Sequence, residues 1–135
     1  MKGKIFIDTN CLVYMFSRDE QTKRHILINI FKEHSFKLVW STQVIQEFYN
    51  IAVKKLRYRS QDVKTIIDEM SHLELIINNL NTIKSAIDVQ TINQISFWHS
   101  LIVSAAKSAH CKYLLSEDMQ HGQKINGIEV ANPFI

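Results

Sequence analysis

This chain has little of what punctuates or staples a fold: among 135 residues there are 3 glycines, 1 proline and 2 cysteines. So few glycines build no phosphate-cradling loop, and neither a P-loop nor a dinucleotide fingerprint is present, which sets nucleotide-cofactor chemistry of those kinds aside. Cys11 and Cys111 show neither a zinc-type pairing nor a disulfide framework, so two reduced, buried thiols are expected. Pro133 sits near the end, and no linker, repeat or low-complexity segment divides the chain. No apolar run approaches the roughly 20 residues needed to span a bilayer. The apolar segment near the N-terminus is cut off by Asp8, too soon for a secretory signal. No membrane contact and a cytoplasmic home are the expectations.

The most informative stretch is Phe6-Ile7-Asp8-Thr9-Asn10, an apolar run that stops at an acid. A buried strand of a parallel sheet reads as a short, near-continuous apolar run, and Ile5-Phe6-Ile7 fits. Side chains just past the carboxyl end of such a strand point into the crevice where open α/β sheets hold ligands. A second run, Tyr113-Leu114-Leu115-Ser116-Glu117-Asp118, ends the same way. Carboxylates at the ends of two strands suggest a divalent-metal site.

Between these runs, strands alternate with helices. Asn10 is placed to cap a short helix through Phe16, and Gln21 to Glu33 carries Ile26, Leu27, Ile30 and Phe31 at amphipathic-helix spacing. Phe36 to Trp40 reads as a second strand. Ser41 or Thr42 then caps a helix with Val44, Ile45, Phe48, Ile51 and Ala52 turned inward. A helix from Ser60 to Met70, a third strand at Leu75-Ile76-Ile77, a helix from Thr82 to Ile92 and a Ser96-capped apolar helix to about Ala109 follow. Tyr113 to Ser116 gives a fourth strand and Ile128 to Val130 a short fifth. With 46% hydrophobic and 21% charged residues, the chain can build an ordinary core. The alternation implies βαβ crossovers and a three-layer α/β/α sandwich. One domain, residues 1–135, is expected around a central parallel sheet of four to five strands.

On that architecture Asp8, Glu47, His99 and Asp118 fall where helices begin or strands end, along one edge of the sheet. These residues and their neighbours resemble the PIN-domain nucleases, and within them the VapC-type toxins of bacterial toxin–antitoxin pairs. The resemblance runs from Ile5 to Phe134. It is carried by Phe6-Ile7-Asp8-Thr9-Asn10, Gln46-Glu47-Phe48, the run from Ile95 through Ser96-Phe97-Trp98-His99 to Val103, the run from Leu115 to Gly122, and Asn132-Pro133-Phe134. It implies a PIN-like fold and a Mg2+- or Mn2+-dependent endoribonuclease acting on structured RNA such as a tRNA. It also implies a cognate antitoxin as partner and a homodimer. Asp8, Glu47 and Asp118 carry over as metal-binding acids, with Asn10 and Ser116 orienting them and Glu117 as a peripheral acid. In the resemblance, an apolar groove on helices 41–54 and 60–70 receives the antitoxin's C-terminal segment by helix-in-groove binding. Periodicity alone reads the same residues equally well as core. The chemistry suits such a cluster: divalent cations lower the pKa of bound water and neutralise phosphate oxygens, and Mg2+ takes hard oxygen ligands.

His99 departs from the family pattern, which has an aspartate there. The helix dipole favours an acid in the first turn by about 0.3–1 kcal/mol. Imidazole removes one negative charge and replaces a hard oxygen with a borderline nitrogen, which weakens Mg2+ while Mn2+ or Zn2+ remains acceptable. Three explanations stand. Position 99 carries an inactivating substitution, since Asp and His codons differ by one base and an active toxin selects against its own expression. Or the site is a natural variant that works with histidine, or a catalytically dead member that still binds RNA or antitoxin. The expected function is therefore a metal-dependent endoribonuclease toxin impaired at His99, with catalysis and metal binding at Asp8, Glu47, His99 and Asp118. Its alternative is a non-catalytic RNA- or antitoxin-binding module. A phosphoryl-transfer or receiver domain using Asp8 as nucleophile is weaker, because Asp8-Thr9-Asn10 lacks a second acid and no lysine ends the fourth strand.

The densest basic run is Lys54-Lys55-Leu56-Arg57-Tyr58-Arg59, in a chain of net charge +3. Its cations suit RNA phosphates and Tyr58 suits an unpaired base, although a solvated helix end accounts for the run equally simply. Trp98, beside Phe97 in an apolar helix, is expected in the core. His25, His34, His72, His110 and His121 show no metal-ligand spacing and read as surface or loop residues, His121 being the nearest to Asp118.

Overall fold

Ile5, Phe6 and Ile7 alternate between the two faces of a strand, and all three are buried. The strand they form must therefore be covered on both sides. In the computed structural model, which describes residues 3–33 and 36–135, that strand is β1 (Gly3–Ile7), at the centre of a six-stranded sheet. Next come α1 (Thr9–Met15), α2 (Gln21–Glu33), β2 (Phe36–Ser41), α3 (Thr42–Lys54), α4 (Ser60–Glu69) and β3 (Glu74–Ile76). The chain continues through α5 (Leu80–Asn93), α6 (Phe97–Ser108), β4 (Tyr113–Leu115), β5 (Lys124–Ile125) and β6 (Ile128–Ala131). The strand order is β3-β2-β1-β4-β6-β5. All pairings are parallel except β5 on β6. Helices flank this sheet, α1 packing on α2 and α3, α3 on α4, and α5 on α6.

The topology makes the site. The chain lays β2 and β3 outward on one side of β1, then returns to place β4 on the other. Such a reversal opens a crevice at the carboxyl ends of the two central strands, the usual ligand position in an open α/β sheet. Ile7 lies opposite Leu115 in the β1–β4 register, so Asp8 and Ser116 leave the sheet side by side. The backbone N–H of Asp8 donates to the Leu115 carbonyl at 3.0 Å, extending the ladder to the site's edge.

Local sequence explains most element ends. Ser41 Oγ accepts from the Val44 N–H, Asn79 Oδ1 from the Thr82 N–H and Ser96 Oγ from the His99 N–H, each satisfying an orphan donor of a first turn. Two expectations change. Asp8, not Asn10, caps α1: its backbone is extended and its Oδ1 accepts from the Thr9 N–H at 2.7 Å. The sheet has six strands rather than four to five, because Asn126 and Gly127, at φ 55° and 84°, form a two-residue turn that pairs Ile125 with Ile128. Two consecutive positive-φ residues match the twist of a tight hairpin, and Asn-Gly is the dipeptide that tolerates it best.

The apolar side chains expected to leave a groove on α3 and α4 are largely consumed by packing. Val44, Phe48, Ala52 and Val63 are buried, and Ile45, Ile66, Ile67 and Met70 pack against the core. On α3 only Tyr49 is an exposed large apolar residue, whereas Leu75, Ile77, Leu80, Ile83, Ile87 and Ile92 are exposed on and beside β3 and α5. No helix among the described residues is long and apolar enough to cross a membrane. Phe48, fully buried with its ring centroid 5.5 Å from that of Phe16, sets the packing of α3. Phe48→Ala is expected to cost about 3–5 kcal/mol in urea unfolding, whereas Ile92→Ala, at a residue 78% exposed, should stay within about 0.5 kcal/mol.

Candidate metal centre

A carboxylate buried without partners is costly, and Asp8 is 5% exposed. Its partners come from the start of α1 and from the residue just past β4. Ser116 Oγ donates to Asp8 Oδ2 at 2.8 Å, Asn10 Nδ2 donates to the same oxygen at 3.2 Å, and the Thr9 N–H holds Oδ1. Burial still wins and lifts the Asp8 carboxyl above its ordinary pKa. The Ser116 and Thr9 hydrogen bonds and the His99 charge pull it down, while Asp118 pushes it further up.

Ser116 Oγ also accepts from the Asp118 N–H at 3.2 Å, turning the chain so that Asp118 stands at the mouth of the crevice. His99 arrives from the first turn of α6, three residues past its Ser96 cap. One ligand atom each from Asp8, His99 and Asp118 lie within 4.8 Å of one another. That set of two carboxylates and one imidazole, graded from buried to exposed, fits a divalent cation.

Glu47 faces the same cleft of about 170 Å3, which Thr9, Asn10, Gln43 and Trp98 also line. It does not join the three-residue cluster; Thr9 Oγ1 donates to its Oε1 at 3.0 Å. Loss of solvent at the cleft wall raises its carboxyl, the Thr9 bond opposes this, and the Asp8 charge adds to it. Thr9 had no chemical signal of its own in the sequence beyond lying inside the Asp8-Thr9-Asn10 motif.

Glu117 turns away. Its carboxylate pairs with Lys23 Nζ at 2.9 Å, and Lys23 also bonds the Tyr14 hydroxyl and lies over the Tyr14 and Phe134 rings. Desolvation acts to raise Glu117, but hydrogen bonds from Lys23 and Tyr14 outweigh it and hold the carboxyl below its usual range. What Glu117 gives the site is its backbone N–H, which donates to Asn10 Oδ1 at 3.1 Å. Cys11 is buried against the same Asn10 oxygen, and burial together with the nearby acids raises its thiol above the ordinary value.

A family model described as a PIN like domain matches residues 4–126. The chain belongs to the PIN-like domain family. No curated protein matches the sequence, but solved structures share this PIN-like fold. A toxin–antitoxin complex from Klebsiella pneumoniae has a TM-score of 0.73 at 15% identity, over 96% of this chain and 98% of that one. VapBC2 from Rickettsia felis, bound to a DNA fragment from its promoter, has a TM-score of 0.68 at 19% identity, over 96% and 98%. VapC20 from Mycobacterium tuberculosis, a Sarcin-Ricin loop cleaving toxin, has a TM-score of 0.66 at 11% identity, over 84% and 91%.

Other candidate residues of the PIN-like domain lie as follows. Lys54, Lys55, Arg57 and Arg59 are exposed, and Arg59 pairs with Asp62 at 2.9 Å. Tyr58 is half-buried, its hydroxyl donating to the Phe16 carbonyl and its ring lying under the Arg18 guanidinium. His25, His72, His110 and His121 are exposed, and His121 Nδ1 accepts from the Asn132 N–H; His34 lies outside the described residues. Trp98 corrects its expectation: it is exposed, because it sits in the first turn of α6 beside the cleft, and burial of that helix begins only at Ser100.

Two outcomes test this geometry. Ser116→Ala strips a donor from the buried carboxylate and should cost about 1–3 kcal/mol in urea unfolding. The second concerns pH. Because burial raises Asp8, its contribution to stability in the metal-free protein is complete below the ordinary carboxylate range and is lost as pH rises through the raised value. Wild-type stability relative to Asp8→Asn should therefore fall as pH rises above the ordinary carboxylate value of about 4; a flat difference would contradict the burial described here.

Proposed function

We propose that this PIN-like domain is the ribonuclease toxin of a toxin–antitoxin pair, a divalent-metal-dependent hydrolase of phosphodiester bonds in structured RNA such as tRNA. One observation carries this reading: Asp8, His99 and Asp118 converge within 4.8 Å at the sheet's switch point. When bound there, Mg2+ or Mn2+ would generate hydroxide from water near neutral pH and neutralise phosphate oxygens. Asp8 would be the fixed anchor, since its donors come from the start of α1 and from Ser116 just past β4. Asp118 at the rim would close the cluster toward solvent, and Glu47, steadied by Thr9, would act from the opposite wall. Ser116 and Asn10 hold the carboxylates in place and keep Asp8 ionisable despite its burial.

His99 sets the level of activity. An imidazole in place of the family's aspartate lowers the negative charge facing the cation and favours Mn2+ over Mg2+. The role as cytoplasmic toxin extends to partners: a cognate antitoxin, and a second copy of the chain for which the exposed apolar side chains of α5 offer surface. The His99 departure equally favours a second reading, a PIN-like domain that binds RNA or antitoxin without cutting.

Cleavage of a tRNA pool separates the two. His99→Asp is expected to cut at least about tenfold faster than the wild type in Mg2+, with a smaller gap in Mn2+, and Asp8→Asn should be inert in both. Equal rates for wild type and His99→Asp would show that the imidazole does not impair the site. RNA binding without cleavage by either protein would establish the binding module instead.

A further inference from the structure

Of the two tryptophans, Trp40 is sealed in the core while Trp98 is 63% exposed. An indole in water is normally a recognition surface, and this one immediately precedes His99. Trp98 lines the metal cleft and also an adjoining hollow of about 250 Å3, whose other walls are Gln43, Gln46 and Glu47. Phe97 braces the indole edge-on, with centroids 5.3 Å apart and planes at 74°. Gln43, 6% exposed, donates from Nε2 to the Trp98 carbonyl at 3.2 Å, tying the start of α3 to the start of α6. Its Oε1 accepts no hydrogen bond from any described residue.

The geometry points to a nucleobase subsite: an unpaired base of the RNA stacks on Trp98 while the adjoining phosphate lies at Asp8, His99 and Asp118. This rests on the ribonuclease reading and adds to it the residue that positions the substrate, Trp98, which would hold a base splayed out of its stack beside the cleft. The occupant follows from the walls. Two amides and a carboxylate around an aromatic face match the polar edge and flat π-surface of a base, and single-stranded RNA is recognised by such stacking. An apolar peptide would leave the polar walls unpaired. Continuity with the acidic cluster sets which base is held, the one next to the bond to be cut.

The test is tryptophan emission and binding in buffer containing Ca2+, with a 12-residue oligoadenylate and an abasic 12-mer as probes, both checked intact on gels. Oligoadenylate should quench the wild type, and the abasic strand should not. Trp98→Ala should weaken oligoadenylate binding about ten- to a hundredfold, leave the abasic strand unaffected and keep the wild-type unfolding midpoint. Trp98→Phe should recover most of the affinity, which a merely structural role would not produce. Equal affinity of wild type and Trp98→Ala for oligoadenylate would overturn the subsite, and is the result expected if Trp98 faces a protein partner instead. If that occurs while His99→Asp still cuts tRNA, the stacking inference falls alone; loss of both RNA binding and cleavage removes the ribonuclease reading with it.

Discussion

The structure depends on keeping one ionisable carboxyl buried at the point where the sheet reverses direction. Asp8 is isolated from water, and an unpaired charge there would be costly. The fold answers with three donors, Thr9 and Asn10 at the start of α1 and Ser116 just past β4, over a hundred residues away in sequence. Asn10 extends the arrangement: its amide nitrogen reaches Asp8 and Ser116, and its oxygen takes the Glu117 N–H and the Cys11 thiol. These donors do not fully offset burial, which still raises the Asp8 carboxyl above its ordinary range.

Around that anchor the cleft is assembled from segments with little direct sequence relation. Thr9 joins α1 to Glu47 on α3, and Gln43 joins α3 to the peptide of Trp98 at the start of α6. On the other flank the Lys23–Glu117 pair, covered by Tyr14 and Phe134, fixes the loop after β4. Glu117 thus does structural work at a position where its neighbours Ser116 and Asp118 face the site. The bend after β4, closed by the Asp118 N–H on Ser116 Oγ, separates the roles of three consecutive polar residues.

The chain shares this backbone at 11–19% identity with VapC20, VapBC2 and a further toxin–antitoxin complex. At that distance a fold persists while surfaces diverge, and function has to be read from the site. Here the site brings two acids and an imidazole together, with a third acid, Glu47, lining the same cleft. The exposed indole beside it belongs to the same surface, since His99 and Trp98 are set by one helix start.

Much of this was legible in the chain. Apolar runs ending in acids located β1 and β4, helix spacing placed α2 with its observed bounds, and Ser41 and Ser96 marked two helix starts through their capping chemistry. Those features are local, and local physics fixes them. Asn126-Gly127 was a hairpin signal of the same local kind, overlooked beside strands of only 2 and 4 residues. Other features had no local trace. That Glu117 pairs with Lys23, that Tyr58 is tied to Phe16 and that Trp98 escapes the core all depend on which elements lie beneath each side chain. The sequence by itself determined the alternation of strands and helices and the residue types able to hold a cation. Only the tertiary structure decided which acids meet, because the distance between Asp8 and Asp118 is set by strand order and register across the sheet, quantities no short stretch of chain encodes.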